Sequence, residues 1–209
     1  MSAAIHSALR AHDLDGLSVA IRRGDVNALT VEGTWRRAPL HEAVSELEDG
    51  GPVDAVILLL RAGALVDQRD GSGERGATPL LVAVFRGSIE ATRVLLAAGA
   101  DPCVVGEEGD SPLRAAVERS NYQIAQLLLR CGAANTIDDS GGLHSCTALG
   151  EAASRLDKAM VELLLKHGAA RSARDIDGRT AIERLPARTA SNATTWELVH
   201  SLLGDPGRP

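Results

Sequence analysis

Aromatic side chains are almost missing: two Trp, one Tyr and one Phe in 209 residues, 2% of the chain. Any core must therefore be filled by Ala, Val and Leu, within a hydrophobic fraction of 44%. Small side chains let short helices approach closely, whereas one large globular core ordinarily needs bulky anchors. The same scarcity removes the stacking platform on which single-stranded nucleic acid is held. Cysteines are few: Cys103, Cys131 and Cys146, with no CxxC pair, cannot make a disulfide framework and predict reduced thiols in the cytoplasm. Long apolar runs are absent too; stretches such as Ala55–Leu60 are far too short to span a bilayer. Met1–His12 lacks the basic start and apolar run of a secretory signal. Nor is there a basic excess, since 28 acidic against 22 basic side chains leave a net charge of −6. That balance disfavours nucleic acid and anionic lipid and suits a basic partner. The expectation is a protein that is monomeric when free.

Chemical motifs are missing as well. No GxGxxG, P-loop, HExxH, GxSxG or EF-hand pattern occurs. Gly71-Ser72-Gly73-Glu74-Arg75-Gly76 is glycine-rich, but it follows a turn and no buried strand, so it reads as an enlarged loop and not a phosphate cradle. His144 and Cys146 lie two residues apart with Cys131 upstream, yet no fourth ligand accompanies them. Glu107-Glu108 and Asp138-Asp139 fall in turns, where solvated charge is the default. No catalytic residue, metal or cofactor is expected, and the chain does not read as an enzyme.

What is present is a repeat. A Thr-Pro-Leu-like opening recurs at Ala38-Pro39-Leu40-His41, Thr78-Pro79-Leu80-Leu81, Ser111-Pro112-Leu113-Arg114, Thr147-Ala148-Leu149-Gly150 and Thr180-Ala181-Ile182-Glu183, with starts 40, 33, 36 and 33 residues apart. A Gly-Ala pair closes four leucine runs, at Gly63-Ala64, Gly99-Ala100, Gly132-Ala133 and Gly168-Ala169. From Thr78, Ser111 and Thr147 to the following Gly the distance is 21 each time. A fixed internal length with variable connections marks a repeating helical unit. Counting back 21 from Gly24 reaches Ala3-Ala4-Ile5-His6, an opening with Thr and Pro replaced.

Each repeated residue has a physical reason. A hydroxyl at Thr78, Ser111, Thr147 and Thr180 is placed to cap a first helix, and Pro39, Pro79 and Pro112 follow at the position where a missing N–H costs nothing. Leu40, Ala43 and Val44, like Leu80, Ala83 and Val84, share a face at the 3.6 period. The second helices, Val56–Leu60, Ile124–Leu129 and Met160–Leu165, carry a wider apolar stripe that fits contact with several neighbours. The Gly after each ends its helix in a left-handed conformation, and a turn rich in Asp and Gly, such as Asp175-Ile176-Asp177-Gly178, projects beyond. Pro186 interrupts the last unit's first helix, and Trp196–Leu203 supplies a final amphipathic one.

These openings and closures resemble the ankyrin repeat family over nearly the whole chain; Ala38-Pro39-Leu40-His41-Glu42-Ala43 lies nearest the family's T-P-L-H-x-A opening. The resemblance implies an all-α solenoid of about six helix-turn-helix repeats with projecting turns, one domain over 1–209. Its approximate units are 3–37 as an N-terminal cap, 38–77, 78–110, 111–146, 147–179 and 180–204 as a C-terminal cap. It implies that His41 and His6 bridge neighbouring loops. It also implies a protein partner bound on a concave face: at turn tips by Trp35, Arg37, Glu74, Arg75, Glu107, Glu108, Asp110, Ile176, Asp177 and Arg179, and at helix edges by Ser45, Glu46, Phe85, Arg86, Glu118, Arg119, Ser154 and Arg155. Trp35 and Phe85 read equally as interface anchors and as local packing. Insertions at 47–53, 71–77 and 140–146 depart from the family pattern and read equally as binding loops and neutral ones. Three functions stay open: a general protein-interaction module, a bacterial immunity protein or inhibitor neutralising a toxin enzyme, and an adaptor or scaffold recruiting a substrate.

Overall fold

The computed structural model describes residues 2–32, 35–71, 76–106, 109–141 and 145–204. It is mostly helical and divides into two compact units, 1–107 and 108–209. In the first, α1 (Ser2–Arg10) pairs with α2 (Leu14–Ile21), α3 (Pro39–Glu46) with α4 (Val53–Arg61), and α5 (Pro79–Phe85) with α6 (Ile89–Ala97). The first helices pack in file, α1 on α3 on α5, and the second helices do the same, α2 on α4 on α6. In the second unit α7 (Pro112–Glu118) pairs with α8 (Tyr122–Arg130) and α9 (Ala148–Ser154) with α10 (Lys158–Lys166), while α7 packs on α9 and α11 (Ala193–Leu203) on α10.

The sequence explains these elements residue by residue. Thr78 caps α5 by accepting from the N–H of Leu81 at 3.3 Å, Ser111 caps α7 from Arg114 at 3.3 Å, and Thr147 caps α9 from Gly150 at 3.0 Å. Second helices are capped by Asp13, Ser88, Asn121 and Asp157. Gly63, Gly99 and Gly168 close helices at φ between 91° and 95° with nothing near a notional Cβ, so conformation, not space, requires glycine there. Thr180 departs from expectation. Its N–H and hydroxyl both bond Glu183, at 2.7 and 2.8 Å, and only a 3₁₀ turn (Ile182–Arg184) follows before Pro186. The last unit thus keeps one full helix, α11.

Five links from first to second helix pass through a left-handed residue: His12 (φ 52°), Gly50 (φ 85°), Gly87 (φ 70°), Ser120 (φ 51°) and Leu156 (φ 56°). Two projecting turns close into antiparallel hairpins, which an all-helical reading omits. Strand β1 (Thr30–Glu32) pairs with β2 (Trp35–Arg37), with Thr30 opposite Arg37, and β3 (Ser140–Gly141) pairs with β4 (Cys146–Thr147).

The core is made of thin layers, as the lack of aromatics requires. Leu59, Leu95, Leu128 and Leu164 occupy the same place, four residues before each closing Gly, and all are fully buried. Ala43, Ala83, Ala116 and Ala152 line the first helices and are equally inaccessible.

Ala38 interrupts the capping pattern. It has the extended backbone of Thr78 but offers α3 no side-chain hydrogen bond, and among the described residues Nδ1 of buried His41 has no partner. Ala38→Ser is therefore expected to raise unfolding free energy by about 1 kcal/mol, read as a higher urea midpoint. An unchanged or lower midpoint would count against the cap argument.

Candidate functional site

In residues 1–107 the turn tips are tied to each other and to the helices beneath. The N–H of Gly71 donates to the carbonyl of Arg36 at 2.7 Å, joining one tip to the β1–β2 hairpin. Below it, His41 Nε2 meets the carbonyl of Ala77 at 2.9 Å, bridging one repeat to the next loop, while Asp70 accepts from the N–H of Ala77 at 2.8 Å. Burial holds His41 below its ordinary pKa, against the opposing pull of that carbonyl and of Asp70. In the unfolded chain the imidazole binds a proton near pH 6.5, and in the fold it does so only at lower pH. Stability conferred by neutral His41 is complete above that value and is lost as pH falls from it towards the folded pKa. A His41→Gln variant is expected to flatten the dependence of the urea midpoint on pH between about 7 and 5.

The first-helix edges of this unit are joined between repeats by two arginine–carboxylate ion pairs and a histidine–carboxylate contact. Arg10 Nε lies 2.8 Å from Glu42, His12 Nε2 lies 3.3 Å from Glu46, and Arg86 pairs with Glu48. Glu46 and Arg86, expected at the binding edge, thus also tie α3 to its two neighbours. Arg37 lies 3.9 Å from Glu42, and Phe85 is half-buried. Ser45 differs from its expected place. It is 8% exposed with its hydroxyl enclosed, because the turn carrying it faces the packed interior of the unit. Trp35 lies in β2 but its side chain is outside the described residues, as are Glu74, Arg75, Glu107 and Glu108.

In residues 108–209, Asp110 pairs with buried Arg114 at 3.2 Å, Arg155 pairs with Glu151 at 2.7 Å, and Ser154 donates to the Glu151 carbonyl. Glu118 is half-buried and Arg119 exposed. The last projecting turn is the most fully built. Asp175 accepts from the N–H of Arg179 at 2.9 Å and pairs with Arg184, which also reaches Asp177 at 2.9 Å; Arg179 pairs with Asp177. The N–H of Ile176 donates to the carbonyl of Ser145 at 3.2 Å, linking this turn to the preceding hairpin. Ile176 itself is 66% exposed, the most exposed large apolar side chain among the described residues.

Among the described residues, the expected ones other than Ser45 fall into two groups, one in each unit. The sequence reading missed Arg10, His12 and Glu48, the partners of Glu42, Glu46 and Arg86. The available signal was opposite charge at the edges of successive first helices. Burial raises the pKa of the Cys146 thiol, which leaves it the protonated, inert form. His144 lies outside the described residues, and among those described no group of His, Cys, Asp and Glu is arranged to hold a metal ion. No described helix is long and apolar enough to cross a membrane.

A family model described as ankyrin repeats in three copies matches residues 40–140. No curated protein matches the chain in sequence. Among solved structures, the ankyrin repeat domain of Bcl-3, described as a unique member of the IkappaB protein family, is 26% identical with a TM-score of 0.77, covering 96% of this chain and 84% of that one. The ankyrin repeat protein EF0377 is 23% identical at a TM-score of 0.77, covering 97% of each chain. A chain in the complex of the Bd0816 predatory endopeptidase from Bdellovibrio bacteriovorus with immunity protein Bd3460 is 26% identical at a TM-score of 0.73, covering 94% of this chain and 96% of that one. Capped first helices, left-handed closing glycines, bridging His41 and these matches converge: residues 40–140 are ankyrin repeats, and the chain has the ankyrin-repeat fold.

Proposed function

We propose that this protein is a non-catalytic binding module that meets a partner protein with its turn tips and first-helix edges, with Ile176 as an apolar anchor. The observation that carries this reading is the construction around Ile176. Its backbone is held by the Ser145 carbonyl and by the buried Asp175–Arg184 pair, yet its side chain is directed into solvent. An immobilised apolar group rimmed by charge binds without the cost of ordering a loop. Arg179 and Asp177 supply the polar rim, and Phe85 with Arg86 offers a second contact in residues 1–107.

Neutralisation of an enzyme is the more specific reading. It is supported by likeness to a structure containing an immunity protein in complex with an endopeptidase. Almost all of the net negative charge lies in residues 1–107, which suits a basic partner. Recruitment of a substrate by an adaptor is the alternative, and cysteines without a disulfide pattern suit work in a reducing cytoplasm.

Photo-crosslinking amino acids placed at 176 and, as control, at exposed Glu162 on α10 test the proposal in cells of the source organism. A saturable adduct from position 176 and none from 162 is expected. Equal labelling at both, or none at 176, would overturn it.

A further inference from the structure

The upstream face of the first repeat lacks what a terminal cap needs. End repeats remain soluble by turning a polar face outward, but α1 and α2 border an open groove of about 620 Å³ lined chiefly by Ala4, Ala8, Ala11, Gly16, Val19 and Ala20, with Asp13 and Arg23 at its edges. Val19 is 43% exposed. The equivalent positions of later repeats lie in the stack. Gly16 and Ala20 stand eight and four residues before Gly24, where the other second helices have Ala55 and Leu59, Ala91 and Leu95, Ile124 and Leu128, and Met160 and Leu164, each at most 5% exposed. On α1, Ser7 and Ala11 stand where α3 has Glu42 and Glu46, the carboxylates that reach upstream to Arg10 and His12. The upstream face thus has the position of a stacking surface without the charges that pair one repeat with the previous one.

We infer that this face binds a second copy of the chain about a two-fold axis, α2 antiparallel to its symmetry mate. The charges at the groove's edges select this occupant. Asp13 is the N-cap of α2 and Arg23 follows its C-terminal end, so they sit at opposite ends of an eight-residue helix. An antiparallel copy sets Asp13 of each chain against Arg23 of the other, giving two identical pairs, as an isologous contact demands. Gly16 and Ala20, one turn apart near the middle, let the two helices approach closely, and the antiparallel helix dipoles add in the same sense. Gly16 has a second duty, since a Cβ there would meet the Asp13 carboxylate at 2.2 Å. The contact is small, so the dimer dissociates on dilution. This replaces the monomer expected from sequence.

Sedimentation equilibrium on the full chain over a wide concentration range tests the inference. Wild type is expected to show a reversible monomer–dimer equilibrium, weakened more than about tenfold by Val19→Glu, whose exposed site leaves the fold unaffected. Arg23→Glu and Asp13→Lys each place like charges together and are expected to be monomeric alone, while their equimolar mixture regains the dimer. That rescue is insensitive to a modest loss of helix stability in either variant. A wild-type chain that stays monomeric throughout, a dimer indifferent to Val19→Glu and Arg23→Glu, or a mixture that does not associate would each overturn the inference.

Discussion

Leu128→Ala is expected to lower unfolding free energy by about 3–4 kcal/mol, the cost of removing a large buried side chain and leaving a cavity that short helices fill only in part. Leu128 is fully buried in α8, and α8 packs on both α7 and α10. In a repeat array each unit depends on its immediate neighbours, so the damage should be local before it is global. Hydrogen exchange is expected to lose protection first in α7, α8 and α10. A loss below about 1.5 kcal/mol by urea titration would mean that the layers relax far more readily than their packing implies.

The second large effect lies in the last turn. Asp175→Ala is expected to cost about 2–3 kcal/mol, because it leaves Arg184 largely enclosed with only the exposed Asp177 to face. It also releases the N–H of Arg179. Burial alone would raise the pKa of Asp175, but the Arg179 N–H and the Arg184 guanidinium outweigh it and hold the carboxyl below its ordinary value. The unfolded carboxyl takes its proton near pH 3.9, so the stabilisation is complete above that value and disappears as pH falls through the lower folded pKa. Asp175→Asn should therefore abolish the part of the acid destabilisation that this group contributes while keeping much of the local geometry. Thermal melts of the wild type and Asn variant from about pH 6 down to pH 3 decide it: parallel curves would sink the assignment.

Local signals carried most of the architecture. Thr78, Ser111 and Thr147 cap where their spacing says they should, and the closing glycines are left-handed as helix termination requires. His41 bridges to the next loop. What escaped depends on contacts remote in the chain. The β1–β2 hairpin arises where the first projecting turn folds back on itself, and Thr30-Val31-Glu32 is too short an alternation to announce a strand. Ser45 was expected at an exposed edge because the family resemblance carries over a position without its surroundings, whereas a first helix in the stack is covered from more than one side. The Arg10–Glu42 and His12–Glu46 pairs span 32 and 34 residues, and only the stacking of repeats makes them neighbours. Ile176 was legible as a turn tip; the clamp that immobilises it was not, since Arg184 belongs to a segment that reads as a broken helix.

The left-handed links between first and second helices have a consequence for how this protein tolerates change. Gly87 adopts that conformation freely, but Ser120 and Leu156 hold it against a penalty of about 1 kcal/mol each. The array therefore carries slack. A glycine at the solvent-facing Ser120 releases part of it, and that reserve can absorb costly changes at the turn tips, where a new binding preference would have to be written.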